Sequence, residues 1–243
     1  PLLSQAILSG ASPQLRNMAT TGGNILQRTR CAYFYDTATP CNKREPGSGC
    51  SAKDGWSRMH AILGASDQCI AVHPSDMCVA LAALEAVVQV NGVQGARSIA
   101  FQDFHRLPGS TPERDNVLAR SEIITSVDLP KEGYADHSHY LKIRDRSSYA
   151  FALVSVAVVL EIKDGTIEFA RIALGGVAHK PWRDLSVESL MKGASLATVD
   201  FEEVADLMML NAKGYGLNDF KIPLGKRAIV RALEQAVAKE LLQ

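Results

Sequence analysis

The stretch YAFALVSVAVVLEIKDGTIEFARIALGGV, residues 149–177, decides the architecture. Its first half is rich in β-branched residues and alternates poorly. Lys163-Asp164-Gly165 then offers a tight turn, and a second β-rich run returns. This predicts a long antiparallel hairpin with one well-buried face. HYLKIRD, residues 139–145, reads as a further strand beside it. From Ser186 onward the pattern becomes helical, in VESLMKGAS, DFEEVADLMM and KRAIVRALEQAVAKELL. The last of these places apolar residues near i, i+3, i+4 and i+7. Strands followed by segregated helices make residues 131–243 an α+β unit.

Working back toward the N-terminus, EIITSVDLP at residues 122–130 is a strand stopped by proline. Residues 103–120 are polar, carry Pro108, Gly109 and Pro112, and read as a surface loop. Val87–Val90 and Gly95–Phe101 are expected to pair across a turn at Asn91-Gly92. Ser75 is a plausible N-cap for a helix over Met77–Ala86. Residues 2–18 read as one helix. Residues 1–130 therefore form a first unit and 131–243 a second.

The 243 residues carry 26 basic and 26 acidic side chains, a formal net charge of zero. That balance argues against electrostatic binding to nucleic acid or an anionic membrane. The longest apolar run, Ala150 to Leu160, is interrupted by Ser155 and is about half of what a membrane helix needs. No signal peptide opens the chain. It starts at Pro1 inside an apparent helix, which leads us to expect that an N-terminal part is not included.

Five cysteines stand at positions 31, 41, 50, 69 and 78, and none follows. The odd count and the size of the chain make a disulfide framework a weak reading. Residues 31–69 show no sustained periodicity, yet they contain Tyr33, Phe34, Tyr35 and Trp56, which favour burial. A loop of that length must be tied down by something. Cys31, Cys41, Cys50 and Cys69 provide four thiols that suit an iron–sulfur cluster or zinc, both of which prefer sulfur. Their C-x9-C-x8-C-x18-C spacing matches neither the knuckles of structural zinc sites nor the close-set run of bacterial ferredoxins. Between Gln27 and Arg58 six basic residues face three acidic ones, an excess expected to lower thiolate pKa values. Cys78, within the helix after Ser75, reads as a small buried hydrophobe.

Upstream, ATTGGN at residues 19–24 brings Thr20, Thr21, Gly22, Gly23 and Asn24 into one turn. It lacks the spacing of a dinucleotide fingerprint and the lysine of a phosphate loop. Its glycines would still let backbone N–H groups approach a ligand, with the hydroxyls and the amide adding direction; from local sequence alone an ordinary turn with a capping threonine is the favoured reading. Asp76, at a helix start, could favour the helix dipole or hold ligand hydroxyls. Lys142 lies on the strand YLKIRDRSSYA, where a solvated face and a cation aimed at an anion or an electron-rich ring are both open. No nucleophile elbow and no helical pair of histidines suited to a metal is present.

Together, ATTGGNILQRTRC, CNKREPGSGC, RMHAILGASDQCIAVHPSDMCVAL, EIITSVDLP and YLKIRDRSSYAFALVSVAVVL…ALGGVAHKPWR resemble the FAD-binding medium subunit of the xanthine dehydrogenase family of molybdenum hydroxylases. Within it, the chain is most similar to the flavoprotein subunits of periplasmic aldehyde oxidoreductases, which carry an additional [4Fe-4S] cluster. The 4-hydroxybenzoyl-CoA reductase flavoprotein shares that addition. The resemblance runs over essentially the whole chain and keeps the motif order.

The resemblance implies an α+β fold: the second subdomain of a vanillyl-alcohol oxidase/PCMH-type FAD-binding domain with a cysteine-rich cluster loop at 31–69, then a CO dehydrogenase flavoprotein-type C-terminal domain. It also implies that the first flavin subdomain is missing. It places Thr20, Thr21, Gly22, Gly23 and Asn24 in the turn set against FAD, Asp76 at the flavin's polyol or ring edge, and Lys142 near the isoalloxazine. It makes Cys31, Cys41, Cys50 and Cys69 the cluster ligands, with the cluster expected to be mainly structural. It further implies a heterotrimer with a molybdenum-cofactor large subunit and a [2Fe-2S] small subunit, a substrate site on a partner, and a periplasmic location, with the cytoplasm as the alternative. Rival readings are a zinc-stabilised interaction domain without flavin, a 4-hydroxybenzoyl-CoA reductase-like flavoprotein subunit and a stand-alone flavin oxidase of the same fold.

Overall fold

The computed structural model describes residues 1–131, 134 and 136–238. The chain opens with two helices, α1 (Leu2–Ser9) and α2 (Pro13–Met18), in place of the single helix expected over 2–18. Gly10 is extended and Ala11 has φ 47°, which ends α1. Ser12 then accepts a hydrogen bond from Leu15 N, and Pro13 takes the first helical position, the arrangement that starts a new helix. Two short helices follow, α3 (Thr21–Ile25) and α4 (Ala32–Tyr35). An irregular stretch then leads to α5 (Asp76–Ala83), where Ser75 Oγ accepts from Cys78 N at 3.1 Å, the cap the sequence predicted.

Strands β1 (Val87–Gly92), β2 (Gly95–Ala100) and β3 (Ile123–Asp128) make an antiparallel sheet in the order β2-β1-β3, with helix α6 (Phe101–Phe104) after β2. The hairpin turn falls at Val93-Gln94, two residues beyond the expected Asn91-Gly92. Gly92 pairs with Gly95, and Gly95, at φ +95°, supplies the left-handed residue at the turn's exit.

The second sheet has the order β4-β5-β6, from β4 (Ser138–Ile143), β5 (Val154–Lys163) and β6 (Thr166–Gly175), all antiparallel. Asp164 and Gly165 form its two-residue turn with φ of 50° and 71°, the double-positive geometry that suits the strand twist. The poor alternation of β5 now has a cause. Val154, Val156, Val158 and Leu160 face one core, whereas Ala157 and Val159 face another. Both faces of the sheet are buried, one more than expected. In the first core α7 (Leu185–Met191) and α9 (Lys221–Val237) pack on the sheet, and α8 (Phe201–Met208) packs on α9. The second packs α1 and α5 on the opposite face. Helix α9 begins five residues ahead of the expected Lys226; the end of the predicted helical run, 239–242, lies outside the described residues. No described helix is long and apolar enough to cross a membrane.

The last part of the irregular stretch is docked on the edge of this sheet by main-chain bonds. Ile62 N and Leu63 N both donate to Val177 O, at 2.9 and 3.0 Å, and His73 N donates to Ala178 O at 3.0 Å. The two sequence units therefore share a seam, and the candidate site lies along it.

Candidate functional site: two adjoining cavities

Cys31, Cys41, Cys50 and Cys69 line one small cavity, and no disulfide joins any of them. Cys31 precedes α4, Cys41 and Cys50 face each other in an isolated antiparallel bridge, and Cys69 enters from the stretch docked on the sheet. Polar side chains bonded to backbone hold the loop in place. Asn42 Oδ1 accepts from Gly47 N and Gly49 N, while its Nδ2 donates to Gln68 O at 3.0 Å. Arg44 Nη1 donates to the carbonyls of Tyr33 and Phe34, both at 2.9 Å, and its Nη2 donates to Thr39 O.

The expected lowering of thiolate pKa values does not hold for two of the four. Burial pushes the Cys31 thiol up, and it raises Cys69 to about 11 against the opposing pull of Lys43. Most of the basic excess is spent elsewhere. Arg44 holds carbonyls, Arg28 pairs with Asp115, Lys53 with Asp67 and Arg58 with Asp145. Lys43 is buried and bonds Asp115, Pro112 O at 2.7 Å and His179 Nε2 at 2.7 Å, tying the loop to the second unit.

A mononuclear tetrahedral zinc with Zn–S near ~2.3 Å sets its sulfurs roughly 3.8 Å apart. Among the described residues, three ligand atoms fall within 4.8 Å of one another at His73, Cys78 and His105, not among these four cysteines. Four sulfurs around one cavity offer an all-thiol donor set of the kind that zinc and iron–sulfur clusters both take. The His73/Cys78/His105 trio has a packing explanation. The Ile25 carbonyl already takes Nε2 of both rings, at 3.4 and 2.9 Å, and the rings pack tilted at 59° with centroids 4.4 Å apart. Burial lowers His105 to about 4 and His73 well below its ordinary value, so both stay neutral. Cys78 is fully buried and raised to about 12, the inert thiol its sequence context predicted.

A second cavity, of about 250 Å³, adjoins the first; Thr29, Cys31 and His60 line both. Trp56, Met59 and Phe151 give it apolar and aromatic walls, Ser75 and Asp76 a polar end, and Gly175 and Gly176 a backbone floor. The glycines are needed there. A Cβ on Gly176, already at φ +72°, would lie 2.8 Å from two carbonyl oxygens, and one on Gly175 would lie 2.5 Å from Val79 Cγ2. The volume falls below the ~300–1,000 Å³ of a pocket for a whole drug-sized ligand, so the cavity fits part of a dinucleotide. Aromatic walls with one carboxylate suit a flavin ring or its polyol.

Of the flavin residues expected from sequence, Asp76 faces this cavity. Its Oδ1 accepts from Tyr140 Oη at 2.6 Å and its Oδ2 from Lys142 Nζ at 2.7 Å. Lys142 sits behind it, 4% exposed, and also donates to Ser9 O at 2.9 Å. The glycine turn does not line the cavity. Thr20 caps α3 by accepting from Gly23 N at 3.0 Å, while Thr21, Gly22 and Gly23 lie at or near the surface. Asn24 links the turn to the cavity's polar end, accepting from Ser75 Oγ at 2.6 Å.

Sequence reading overlooked His60. Its Nε2 lies 3.1 Å from Cys31 Sγ, its Nδ1 is buried with no partner, and burial holds it near 4, so the ring is neutral. It stands 29 residues from Cys31, within the stretch RMHAILGASDQC, where nothing local marks it as a partner of that thiol. Lys221, also unremarked, is wholly buried, donates to His60 O and Gly176 O, and is lowered by burial to about 7.

Two family models match the chain: the FAD-binding domain in molybdopterin dehydrogenase over residues 1–132, and the CO dehydrogenase flavoprotein C-terminal domain over residues 139–236. The aldehyde oxidoreductase FAD-binding subunit PaoB of Escherichia coli is 50% identical over 240 residues, covering 98% of this chain and 72% of that protein. The glyceraldehyde dehydrogenase medium chain of Sulfolobus acidocaldarius is 34% identical over 123 residues, covering 50% of this chain and 41% of that one. In fold, a chain of the Hydrogenophaga pseudoflava carbon monoxide dehydrogenase superposes with a TM-score of 0.69 at 22% identity, over 98% of this chain and 68% of its own length. The chain therefore belongs to the FAD-binding domains of molybdopterin dehydrogenases, oxidoreductase flavoproteins of the xanthine dehydrogenase family.

Proposed function

We propose that this chain is the electron-transfer FAD subunit of a molybdenum-containing aldehyde oxidoreductase, and that Cys31, Cys41, Cys50 and Cys69 hold a [4Fe-4S] cluster beside the flavin. One observation carries the reading: the four cysteines line a cavity that shares Thr29, Cys31 and His60 with a second, aromatic-walled cavity. Identity to a subunit named for aldehyde oxidation supports the substrate class. The complex would be a heterotrimer with a molybdenum-cofactor large subunit, which bears the substrate site, and a [2Fe-2S] small subunit, located in the periplasm. The chain would divide near residue 130 into flavin and C-terminal domains.

When bound, FAD supplies a ring that exchanges electrons, and the cluster supplies one-electron steps. This chain's residues do the positioning. Asp76, fixed from behind by Tyr140 and Lys142, presents a carboxylate to ligand hydroxyls or a ring N–H. Trp56 and Phe151, half-exposed at the rim, offer apolar faces to a planar ring. Gly175 and Gly176 close the floor where a Cβ would collide with Val79, Ser155 and the carbonyls of Ala152 and Leu153. The glycine turn with Thr20, Thr21, Gly22, Gly23 and Asn24 meets FAD beyond this cavity, through exposed backbone and hydroxyls.

The test is the metal and flavin content, with the visible spectrum, of the complex purified around the full-length protein. Iron near four atoms per flavoprotein beyond that of the [2Fe-2S] partner, with FAD and molybdenum, is the expected result. Zinc in place of that iron would refute the cluster reading, and absent flavin would refute the whole.

A further inference from the structure

We propose that His60 is a positioning residue joining the two cofactor sites: its Nε2–H donates to the Cys31 sulfur and raises the reduction potential of the cluster held there. The inference rests on reading the four cysteines as cluster ligands. It deepens that reading by assigning a role to a side chain that ligates nothing.

The geometry fixes the tautomer. A cysteine sulfur bound to iron is an acceptor only, so at 3.1 Å the proton must reside on Nε2. Nδ1 is then the lone-pair nitrogen. It is buried and has no partner in the protein, on a side chain that also lines the second cavity. One face of His60 thus has a defined partner, and its other nitrogen remains available as an acceptor.

The main chain of His60 is pinned from the C-terminal unit. Asn218 Nδ2 and Lys221 Nζ donate to His60 O at 3.2 and 2.9 Å, and His60 N donates to Ser57 O at 2.8 Å. Asn218 and Lys221 are themselves fully buried. Such anchoring holds a hydrogen-bond donor in place beside a ligand atom, which is how the protein around a metal site sets its electronics. Reduction adds negative charge to the cluster and its sulfurs. A fixed N–H donor favours that form and lifts the potential. The same side chain borders the aromatic-walled cavity, so the donor acts where the two sites meet.

The experiment compares the full-length protein, purified with its complex, as wild type, His60→Leu and His60→Gln. Iron content is measured first, then the cluster's midpoint potential by a redox titration followed by electron paramagnetic resonance. His60→Leu should keep its iron and lower the potential, moving the reduction equilibrium about tenfold, ~59 mV for one electron. His60→Gln, which keeps an N–H donor, should recover most of the shift. If His60→Leu loses iron, His60→Phe is read in the same way. An iron-loaded variant without the donor whose potential equals that of wild type overturns the inference while leaving the cluster reading intact. Wild type without iron at these cysteines overturns both.

Discussion

Replacing Lys142 with Met separates two accounts of that residue. The resemblance sets it near the flavin ring; in the fold its ammonium is spent on Asp76, at 2.7 Å, and on Ser9 O. Both partners of the ion pair are buried, with side chains 4% and 9% exposed. Removing one member of such a pair costs about 3–5 kcal/mol, because the other is left charged and uncompensated. Tyr140 still donates to Asp76 at 2.6 Å, so the lower end is expected. For a chain of this size that corresponds to a fall in Tm of about 6–12 °C. Adding Asp76→Asn removes the orphaned charge and keeps an acceptor for Tyr140, so the double variant should regain more than half the loss. The flavin potential reads the same logic. Lys142→Met leaves a bare carboxylate at the cavity wall and lowers the potential of the ring bound there; the double variant restores it. Calorimetry of the full-length protein and a flavin redox titration of the complex give both numbers. A double variant no more stable than the single, with the potential still low, would show that Lys142 acts on the flavin directly and that the pairing argument is wrong.

Other outcomes follow from the same contacts. His105 titrates near 4 in the fold because it is buried, against about 6.5 unfolded. The unfolded chain therefore binds the extra proton between those values. Stability held above pH 6.5 is lost as pH falls toward 4, by roughly 3 kcal/mol from this group alone, with His73 acting in the same direction. A Tm flat from pH 7 to 4.5 would contradict this. Gly175→Ala drives a methyl against Val79 Cγ2 and Ser155 Oγ, and overpacking there should cost about 1–3 kcal/mol in urea unfolding. An unchanged midpoint would mean that the floor can give way. Cys50→Ser should lower iron content and Tm together, since cluster binding is linked to folding; iron loss at constant Tm would show that Asn42 and Arg44 suffice to hold the loop.

Much of this fold was legible because its signals are local. Asp164-Gly165 fixes the main hairpin through two left-handed residues, and Ser75 caps α5 through its own hydroxyl. The second buried face of β5 was not legible. A strand covered on both sides shows no alternation, and period alone cannot tell that state from a weakly patterned strand. The cysteines declared themselves by clustering. What surrounds them did not: Lys43 reads as one more solvated charge until the fold buries it between Asp115 and His179, 72 and 136 residues away. His60 lies within RMHAILGASDQC, but nothing in that stretch marks it as a donor, and its role rests on one long-range contact. Charge counting failed for the same reason, because it assigned to the thiols cations that the fold commits to carbonyls and carboxylates.

This bears on where the two sites meet. Along the chain, the step from ATTGGN to RTRC puts the junction near Gln27. In space the glycine turn reaches the polar end of the larger cavity only through the Asn24–Ser75 bond, and the shared wall is built from Thr29, Cys31 and His60. Cys31 is thus unlike the other three thiols. It alone among them lines both cavities and receives the imidazole, and it sits at the N-terminus of α4. Cys41, Cys50 and Cys69 face the smaller cavity only. Were the proposed cluster a clamp alone, nothing would call for one of its ligands and an adjoining imidazole to border the second cavity. Under the proposed function, the asymmetry among the four cysteines therefore favours an electronic link between the sites over a purely mechanical one.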